Sequence, residues 1–392
     1  MLKPSFLGKV ADKAVELFER LNLFAVRGIA RRIADAENHM TASADYQAWL
    51  LVQAGKSLDE IKAETAAILH ESEDVVAGIF EEAVLTSYDN DAAIFADAGV
   101  ETAPFETEQS RKFIQVFYEQ TNGELYNYTQ TTAEESQTAF IDACSNAMAK
   151  VRAGLESPEQ AVREAIEETA KAGLYVSYPT GHIDTIEVAV RRAVMTGVNQ
   201  ASLQMTIDEC DRLGTNLVIV SSHLGARVSD VDPHANHAGW QGGVYRIANR
   251  LNDFYGPLEH LNAQYSGHSY EYLEDATGYP SDPLGLGGYN CRHSMYPYVP
   301  GVSENHMQEF DETENRKAYE ASQRQRGMER AMRSERRQIE ALKEAYSVNP
   351  SKEIDKALGS HKAKYRYMRQ EYEAFCEANG LTPQLNRIYT AS

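Results

Sequence analysis

Two short segments rich in glycine, proline and aromatic residues constrain the fold of this 392-residue chain more than any other feature. The first covers residues 221–245 and the second covers residues 277–301. Together they hold four of the eleven histidines and one of the four cysteines. Glycine and proline interrupt regular elements, and this mixture suits neither a helix nor a strand. We therefore expect the two segments to form a fixed, irregular platform of loops.

Composition and charge exclude several classes of protein. The chain has no run of about eighteen apolar residues, so we expect no membrane-spanning segment. Its start lacks the apolar stretch of a secretory signal. Four cysteines without paired spacing are typical of a protein made in a reducing cytoplasm. A net charge of -20 argues against a surface that nucleic acid coats over its whole extent.

The charges are distributed unevenly along the chain. Residues 71–135 contain fifteen acidic and two basic residues, whereas residues 316–337 contain eight basic and three acidic residues. Solvated helix faces give such patterns, and the alternative is that the two regions meet different partners. A basic helix can also follow a DNA backbone without reading its sequence. Five arginines are the candidates for non-specific contact with double-stranded DNA: Arg324, Arg326, Arg330, Arg333 and Arg337.

Hydrophobic periodicity predicts a helical first half. Residues 9–36 carry apolar side chains mostly three or four positions apart. These side chains occupy several sides of the helix, so the helix needs either a deep core or a binding partner. Capping boxes at residues 57–60, 132–135 and 157–160 predict three further helix starts. Another helix is predicted over residues 184–213.

The pattern changes in the second half. Residues 216–221 and 244–247 are short, apolar and β-branched, which predicts strands. Residues 312–378 return to a helical pattern with breaks at 349–350 and 359–360. Two such arms predict an antiparallel helical hairpin.

These elements predict an α+β fold that is predominantly helical. It would have a helical N-terminal half, a small α+β core with irregular loops, and a C-terminal helical hairpin. The corresponding domains are residues 1–180, residues 181–311 with the histidine and cysteine motifs, and residues 312–392 with the basic hairpin and a tail.

The histidines and the cysteine of the two segments suggest a metal site. His223, His237, Cys291 and His293 would supply one sulfur and three nitrogens, a set that suits zinc. His234 is an alternative to His237. The spacing does not match a zinc finger, and on a strand Cys291 and His293 would point to opposite faces. The alternative is a packed, hydrogen-bonded cluster that holds no metal.

Catalysis is the third interpretation of the same residues. A Cys291 nucleophile would need His223 or His237 as its base, with Asp230 or Asp232 to orient that base. Such residues are common, and no hydrolase or phosphate-loop motif accompanies them. We expect the arginines of the segments, Arg227 and Arg292, to pair with acidic residues, and Trp240 to anchor a core.

The order of rare residues in the two segments resembles the minor capsid protein 2 family of tailed bacteriophages, itself similar to the Mu-type head-morphogenesis proteins. The pattern reads His-x-Gly-Ala-Arg, then Trp-Gln-Gly-x-Val-Tyr, then Gly-Tyr-Asn-Cys-Arg-His. The resemblance covers most of the chain and is strongest over residues 217–301. The motif residues are Gly225, Arg227, Trp240, Gln241, Gly242, Tyr245, Gly278, Tyr279, Asn290 and Arg292.

The resemblance implies a structural, non-enzymatic minor protein of the phage head. It would be made in the bacterial cytoplasm, lie in the capsid interior or at the portal vertex, and act with the portal and other head proteins in assembly. Residues 1–180 are the candidate portal contact. The alternative function is a cysteine- or metal-dependent hydrolase or transferase delivered with the genome. An open cleft at Cys291 would favour the enzyme, and a buried sulfur would favour the structural role.

Overall fold

The computed structural model describes residues 2–40, 44–103, 105, 108–247, 256–261 and 269–388. Within them the fold is α+β and predominantly helical, as the sequence predicts. Among the described residues no helix combines the length and the apolar character needed to cross a membrane. The helices are α1 Pro4–Leu7, α2 Asp12–Ala36, α3 Ala44–Asp97, α4 Glu108–Arg152, α5 Pro158–Ala172, α6 Ile186–Leu213, α7 His237–Trp240, α8 Leu273–Thr277, α9 Glu312–Val348 and α10 Lys352–Ala378.

The strands form two small antiparallel sheets. Strands β1 (Tyr175–Ser177) and β2 (Ile183–Thr185) make a hairpin. Strand β3 (Leu217–Val220) is the centre of a three-stranded sheet between β4 (Val244–Arg246) and β5 (Met295–Pro297). All four residues of β3 are buried, which explains its continuous apolar and β-branched sequence.

The chain divides into two compact units, each made of three segments. Unit 1 comprises Met1–Ala11, Glu73–Gly123 and Arg191–Ser322. Unit 2 comprises Asp12–Ser72, Glu124–Val190 and Gln323–Ser392. This division does not follow the predicted sequence boundaries at residues 180 and 311. The reason is that the long helices α3, α4, α6 and α9 each supply residues to both units.

Helix α2 lies in the core of unit 2. Its residues Val26, Ile29 and Ile33 are buried in one cluster with side chains from α4, α5 and the C-terminal hairpin. Leu21 and Leu23, on other sides of the helix, are also buried. The helix is therefore apolar on several sides because its own unit surrounds it, and this property does not indicate a partner.

The predicted helix boundaries are partly confirmed. Ser157 caps α5 through a capping box with Gln160, as predicted. The starts predicted at Ser57 and Thr132 are wrong, because α3 and α4 continue through them. Ser57 is buried within its helix, and the Thr132 hydroxyl donates to the backbone oxygens of Tyr128 and Tyr175 instead of capping. Local hydrogen bonds of this kind give a capping residue an alternative role.

The C-terminal hairpin is present, and from Gln323 onward it belongs to unit 2. Helix α9 ends at Val348 and α10 begins at Lys352, so the break at residues 349–350 is confirmed. The predicted break at residues 359–360 is wrong, because α10 runs through it. The Tyr372 hydroxyl donates to Glu329 Oε1 at 2.9 Å, and Met332 packs in one cluster with Tyr372. Gly359 lies inside α10, where a glycine costs about 1 kcal/mol without ending the helix.

Candidate functional site

The central sheet of unit 1 brings the two motif segments together. Strands β3 and β5 run antiparallel with Val220 opposite Met295, so the residues after β3 lie beside the residues before β5. Ser221 and Ser294 continue this pairing, since the Ser221 amide donates to the Ser294 carbonyl at 2.8 Å. His223 therefore lies close to Cys291 and His293 although about seventy residues separate them.

Three of the four predicted metal ligands converge, and we call them the His–Cys cluster: His237, Cys291 and His293. One donor atom from each lies within 4.8 Å of the others, and all three side chains are buried. Cys291 Sγ is 3.7 Å from His293 Nδ1. The strand argument against this pair does not apply, because residues 291–294 precede β5 in irregular backbone. Their side chains can therefore point to the same side.

His223, the fourth predicted ligand, lies beside the cluster. Its ring stacks on His293 with centroids 4.5 Å apart and planes 24° apart. Its Nδ1 is 3.1 Å from the Leu224 carbonyl oxygen. Trp240 closes the other side, with its ring 4.8 Å from the His293 ring and edge-on to it. Trp240 is buried and its indole N–H donates to the His234 carbonyl, as suits a core anchor.

Hydrogen bonds fix the tautomers of the two cluster histidines. His237 Nε2 is 2.8 Å from the Leu284 carbonyl oxygen, which can only accept, so Nε2 carries the proton. His293 Nε2 is 3.2 Å from Gln241 Oε1, and this oxygen also accepts from the His223 amide at 2.9 Å. His293 therefore also donates from Nε2. In both rings Nδ1 is left with a lone pair.

Burial controls the ionisation of the cluster. It lowers the pKa of His237 to about 3 and holds the pKa of His293 well below its ordinary value. It raises the pKa of the Cys291 thiol. A neutral imidazole beside a thiol of raised pKa is the reverse of an activated cysteine, whose pKa is lowered by its surroundings.

Neither Asp230 nor Asp232, the two acids considered for orienting the catalytic base, orients a histidine of the cluster. The Asp230 carboxylate pairs with Arg316 at 2.8 Å on the surface. The Asp232 carboxylate accepts from the backbone amides of His234 and Ala235. His234 likewise lies outside the cluster, since its Nδ1 is 2.9 Å from Asp282 Oδ2. That hydrogen bond raises the pKa of His234.

Several motif residues hold the loops through hydrogen bonds to the backbone. Arg227 donates to the carbonyl oxygens of Leu284 and Tyr289, so backbone carbonyls take the place of the expected acid. Arg292 donates to the Gly225 carbonyl oxygen at 3.5 Å. The Tyr245 hydroxyl donates to the Trp240 carbonyl at 2.7 Å. These bonds cross-link segments that have little regular structure of their own.

Two motif positions have backbone that restricts the residue type. At Gly278 φ is +71°, and a Cβ atom would lie 2.6 Å from the Asp282 Cβ and 2.9 Å from the His234 ring. Only glycine fits there. Asn290 adopts φ of +58°, a conformation that asparagine tolerates better than most residues. The tight turns of the second segment depend on these two residues.

Asn315 is a site residue that the sequence did not reveal. Its side-chain oxygen accepts from the amides of Gly225 and Ala226 at 2.8 and 3.0 Å. Its side-chain nitrogen donates to the Ala226 carbonyl at 3.0 Å. Asn315 therefore attaches the first turn of α9 to the first motif segment. Nothing in its local sequence distinguishes it from the other polar residues of that helix.

Comparison with known proteins identifies the family. The model of the family described as phage minor capsid protein 2 matches residues 2–376. The chain belongs to this family.

Curated relatives agree with the family assignment. A structural protein of Lactococcus phage LL-H is 24% identical over 359 residues, which are 88% of this chain and 90% of the relative. A structural protein of Lactococcus phage mv4 is 33% identical over 89 residues, which are 23% of this chain and 72% of the relative. No solved structure matches the chain. As a minor capsid protein 2 family member, the chain is a structural protein of the virion.

The arginines proposed for DNA contact differ in exposure in this minor capsid protein. Arg333 and Arg337 are directed into unit 2, where they pair with Glu187 at 3.6 and 3.2 Å. Their guanidinium groups do not form part of a solvent-facing basic surface, which corrects the expectation for these two. Arg324 lies over the Phe375 ring and Arg330 is exposed. Arg326 is half-buried.

Proposed function

We propose that this chain is a non-enzymatic structural component of the phage head that assembles with the portal. The observation that supports the non-enzymatic role best is the burial of the His–Cys cluster. Cys291 is 2% exposed and His293 is 0% exposed. A cysteine nucleophile must reach its substrate and must have a base that takes its proton. A buried thiol does not reach a substrate, and burial lowers the pKa of the two neighbouring imidazoles, which makes them weak bases.

The neighbouring cleft supports the same proposal. It has a volume of about 540 Å³ and is lined by His234, Glu274, Tyr279 and Asp282, together with the adjacent residues of the 278–283 loop. Cys291 is not among the lining residues. This cleft therefore does not open onto Cys291, as the cleft of a cysteine-dependent hydrolase or transferase would.

The proposed portal contact lies in residues 1–180, on α3. Since the apolar side chains of α2 are used in the core of unit 2, exposed apolar side chains are the better indicator of a docking surface. Leu51 and Val52 are 63% and 55% exposed and adjacent in sequence. Large apolar side chains at such exposure on one helix favour contact with another head protein.

Contact with DNA is the second part of the proposal and is restricted to the outer arginines of α9. Arg324 and Arg330 are the exposed candidates of the predicted set, with Arg326 half-buried between them. Their contact would be with phosphate and independent of sequence. The net charge of -20 favours a weak contact that depends strongly on salt.

The test is incorporation of variants into heads. A phage lacking this gene product is complemented with the full chain, with the Leu51→Asp/Val52→Asp double variant, or with Val231→Asp, and purified heads are quantified by mass spectrometry against portal and major capsid protein. Val231 is 94% exposed and lies in unit 1, so it controls for the added charge. We expect the double variant to be depleted from heads and Val231→Asp to be incorporated normally.

Two results would contradict the proposal. Normal incorporation of the double variant would remove the α3 surface from the portal contact. Absence of the unaltered chain from purified heads would reject the role in the head itself.

A further inference from the structure

The His–Cys cluster has the donor set of a metal site. It offers two imidazole nitrogens and one sulfur. This combination binds zinc in preference to the hard cations magnesium and calcium. The separation of 3.7 Å between Cys291 Sγ and His293 Nδ1 can be compared with an ideal site. Two ligands of a tetrahedral zinc ion, at Zn–N and Zn–S distances of ~2.1 and ~2.3 Å, are about 3.6 Å apart. The two donors already have this spacing.

The hydrogen bonds outside the cluster are an independent indication. A histidine that binds a metal through one ring nitrogen almost always donates the other N–H to an oxygen, which fixes the ring and its tautomer. His237 does this through Leu284, and His293 does it through Gln241. In both residues Nε2 is the donor, so Nδ1 is the available ligand. A cluster held only by packing would not require both rings to donate from Nε2 and keep the lone pair on Nδ1.

The contacts of the Cys291 sulfur with the two polar atoms of the His293 side chain and carbonyl are long. The sulfur lies 3.7 Å from His293 Nδ1 and 4.0 Å from the His293 carbonyl oxygen. Backbone hydrogen bonds from Gly287 and His293 also reach it. A thiolate bound to a metal would make a far stronger interaction at the same place. One ion would then join the two motif segments, which have little regular structure of their own.

We propose that His237, Cys291 and His293 bind one zinc ion that cross-links the two motif segments, and that His223 is not a ligand. His223 stacks face to face on His293, but neither of its ring nitrogens lies within 4.8 Å of all three donor atoms of the cluster. The proposal reduces the four residues considered from the sequence to three. It does not depend on the role in the head, since a metal can hold a fold whatever the protein assembles with.

The first experiment measures zinc in the full chain and its variants. Each protein is incubated with excess zinc, desalted and analysed by elemental mass spectrometry. We expect about one zinc per chain in the unaltered protein, and loss of that zinc in Cys291→Ser and His237→Ala. Cys144→Ala is the matched control, because Cys144 is also a buried free cysteine but lies in the core of unit 2. It should keep its zinc, as should His223→Ala.

A second measurement needs no variant and so does not depend on a variant's folding. Cobalt(II) is substituted into the unaltered protein, and a sulfur-to-cobalt charge-transfer band with tetrahedral d–d bands is expected. A chelator should then remove the metal, lower Tm and expose Cys291 to alkylation.

Three results would overturn the inference. They are well under one zinc per chain in the unaltered protein, full zinc in Cys291→Ser, or a cobalt spectrum without a thiolate band. Loss of zinc in His223→Ala would overturn the three-ligand assignment in favour of four ligands.

Discussion

The two units of this chain bury polar groups in different ways. In unit 1 the motif loops are held mainly by side chains that bond to the backbone: the imidazole of His237, the carboxamide of Asn315 and the guanidinium of Arg227. In unit 2 the helices are held around charged groups. Glu187 is 3% exposed and pairs with Arg337 at 3.2 Å and with Arg333 at 3.6 Å. Irregular loops need many directional bonds to backbone, whereas helices satisfy their own backbone and leave their side chains to pair.

This difference determines how each unit responds to substitution. Removing one member of a buried ion pair leaves an uncompensated charge, which costs more than losing a neutral hydrogen bond. Substitutions in the ionic network of unit 2 should therefore have larger effects than substitutions in the loop contacts of unit 1.

The largest effect is expected at Arg337. Arg337→Ala leaves the buried Glu187 carboxylate with the more distant cation of Arg333 and the Asn22 amide, and should lower the free energy of unfolding by about 3–5 kcal/mol. Chemical denaturation followed by circular dichroism measures this. Arg20→Ala is the control, because Arg20 and Glu71 form an exposed pair at 2.9 Å whose loss should cost less than about 1 kcal/mol. Equal losses of unfolding free energy in the two variants would show that the buried ion pairs stabilise the protein no more than an exposed pair does.

The next effect is expected at Asn315 in unit 1. Asn315→Ala removes three hydrogen bonds and leaves the buried amides of Gly225 and Ala226 without their acceptor, at a cost of about 2–3 kcal/mol. Asn305→Ala is the matched control, since exposed Asn305 donates to the Gly242 carbonyl and accepts from the Met307 amide. Its loss should cost under about 1 kcal/mol, because water replaces both partners. A larger loss in the control would contradict this account of the loops.

A smaller effect is the pH dependence of unit 2. Burial, with the nearby charge of Glu187, raises the pKa of Glu19 to about 8, and hydrogen bonds to Glu167 and Glu335 raise the pKa of His361 to about 9. Both groups bind protons more tightly in the folded state. Their contribution is therefore present at lower pH and is lost as pH rises through these values.

The measurement is Tm between pH 7 and 9 in a buffer of constant ionic strength, a window that ends at the pKa of about 9 for His361. It begins at about 7, the pKa to which burial raises the Asp91 carboxyl of unit 1, and Asp91 contributes equally to the slopes of the unaltered protein and the variant. Tm should fall across this range, and Glu19→Gln combined with His361→Gln should make the fall smaller. An unchanged slope in the double variant would assign the pH dependence elsewhere.

The smallest effect is expected on DNA binding. Replacing the exposed Arg324 and Arg330 with Gln should reduce the slope of log affinity against log salt by about 1–2 for random duplex. Fluorescence anisotropy with the full chain at several salt concentrations measures the slope. Arg20→Gln, an exposed arginine on α2, is the control. The same slope in all three proteins would reject the α9 contact.

Local patterns in the sequence predicted elements that depend on local interactions. The strand at Leu217–Val220 and the helix break before Pro350 follow from residue types at those positions. The cap predicted at Ser157 is confirmed, because Pro158 follows it and begins α5. Ser57 and Thr132 have the same kind of capping sequence but lie inside long helices. Packing along those helices decided the outcome, and a local motif does not report packing.

The site was predictable in its residue types and not in its geometry. The recurrence of His223, His237, Cys291 and His293 in two loop-forming segments identified the cluster region. The stacking of His223 on His293 depends on the register of β3 and β5, which no sequence spacing gives. Arg337 resembled a DNA-binding residue because its partner Glu187 is 150 residues away in the chain. Long-range pairing of this kind needs the fold to be known.

The central claim is that the motif region is a closed structural centre, and the reactivity of Cys291 tests it most directly. The native full chain is treated with an alkylating reagent, and labelling of each cysteine over time is followed by peptide mass spectrometry. All four cysteines are buried, so Cys291 should be protected in the folded protein and labelled only on unfolding, as should Cys144, Cys210 and Cys376. Rapid, selective labelling of Cys291 in the folded protein would contradict the structural account and support an exposed nucleophile.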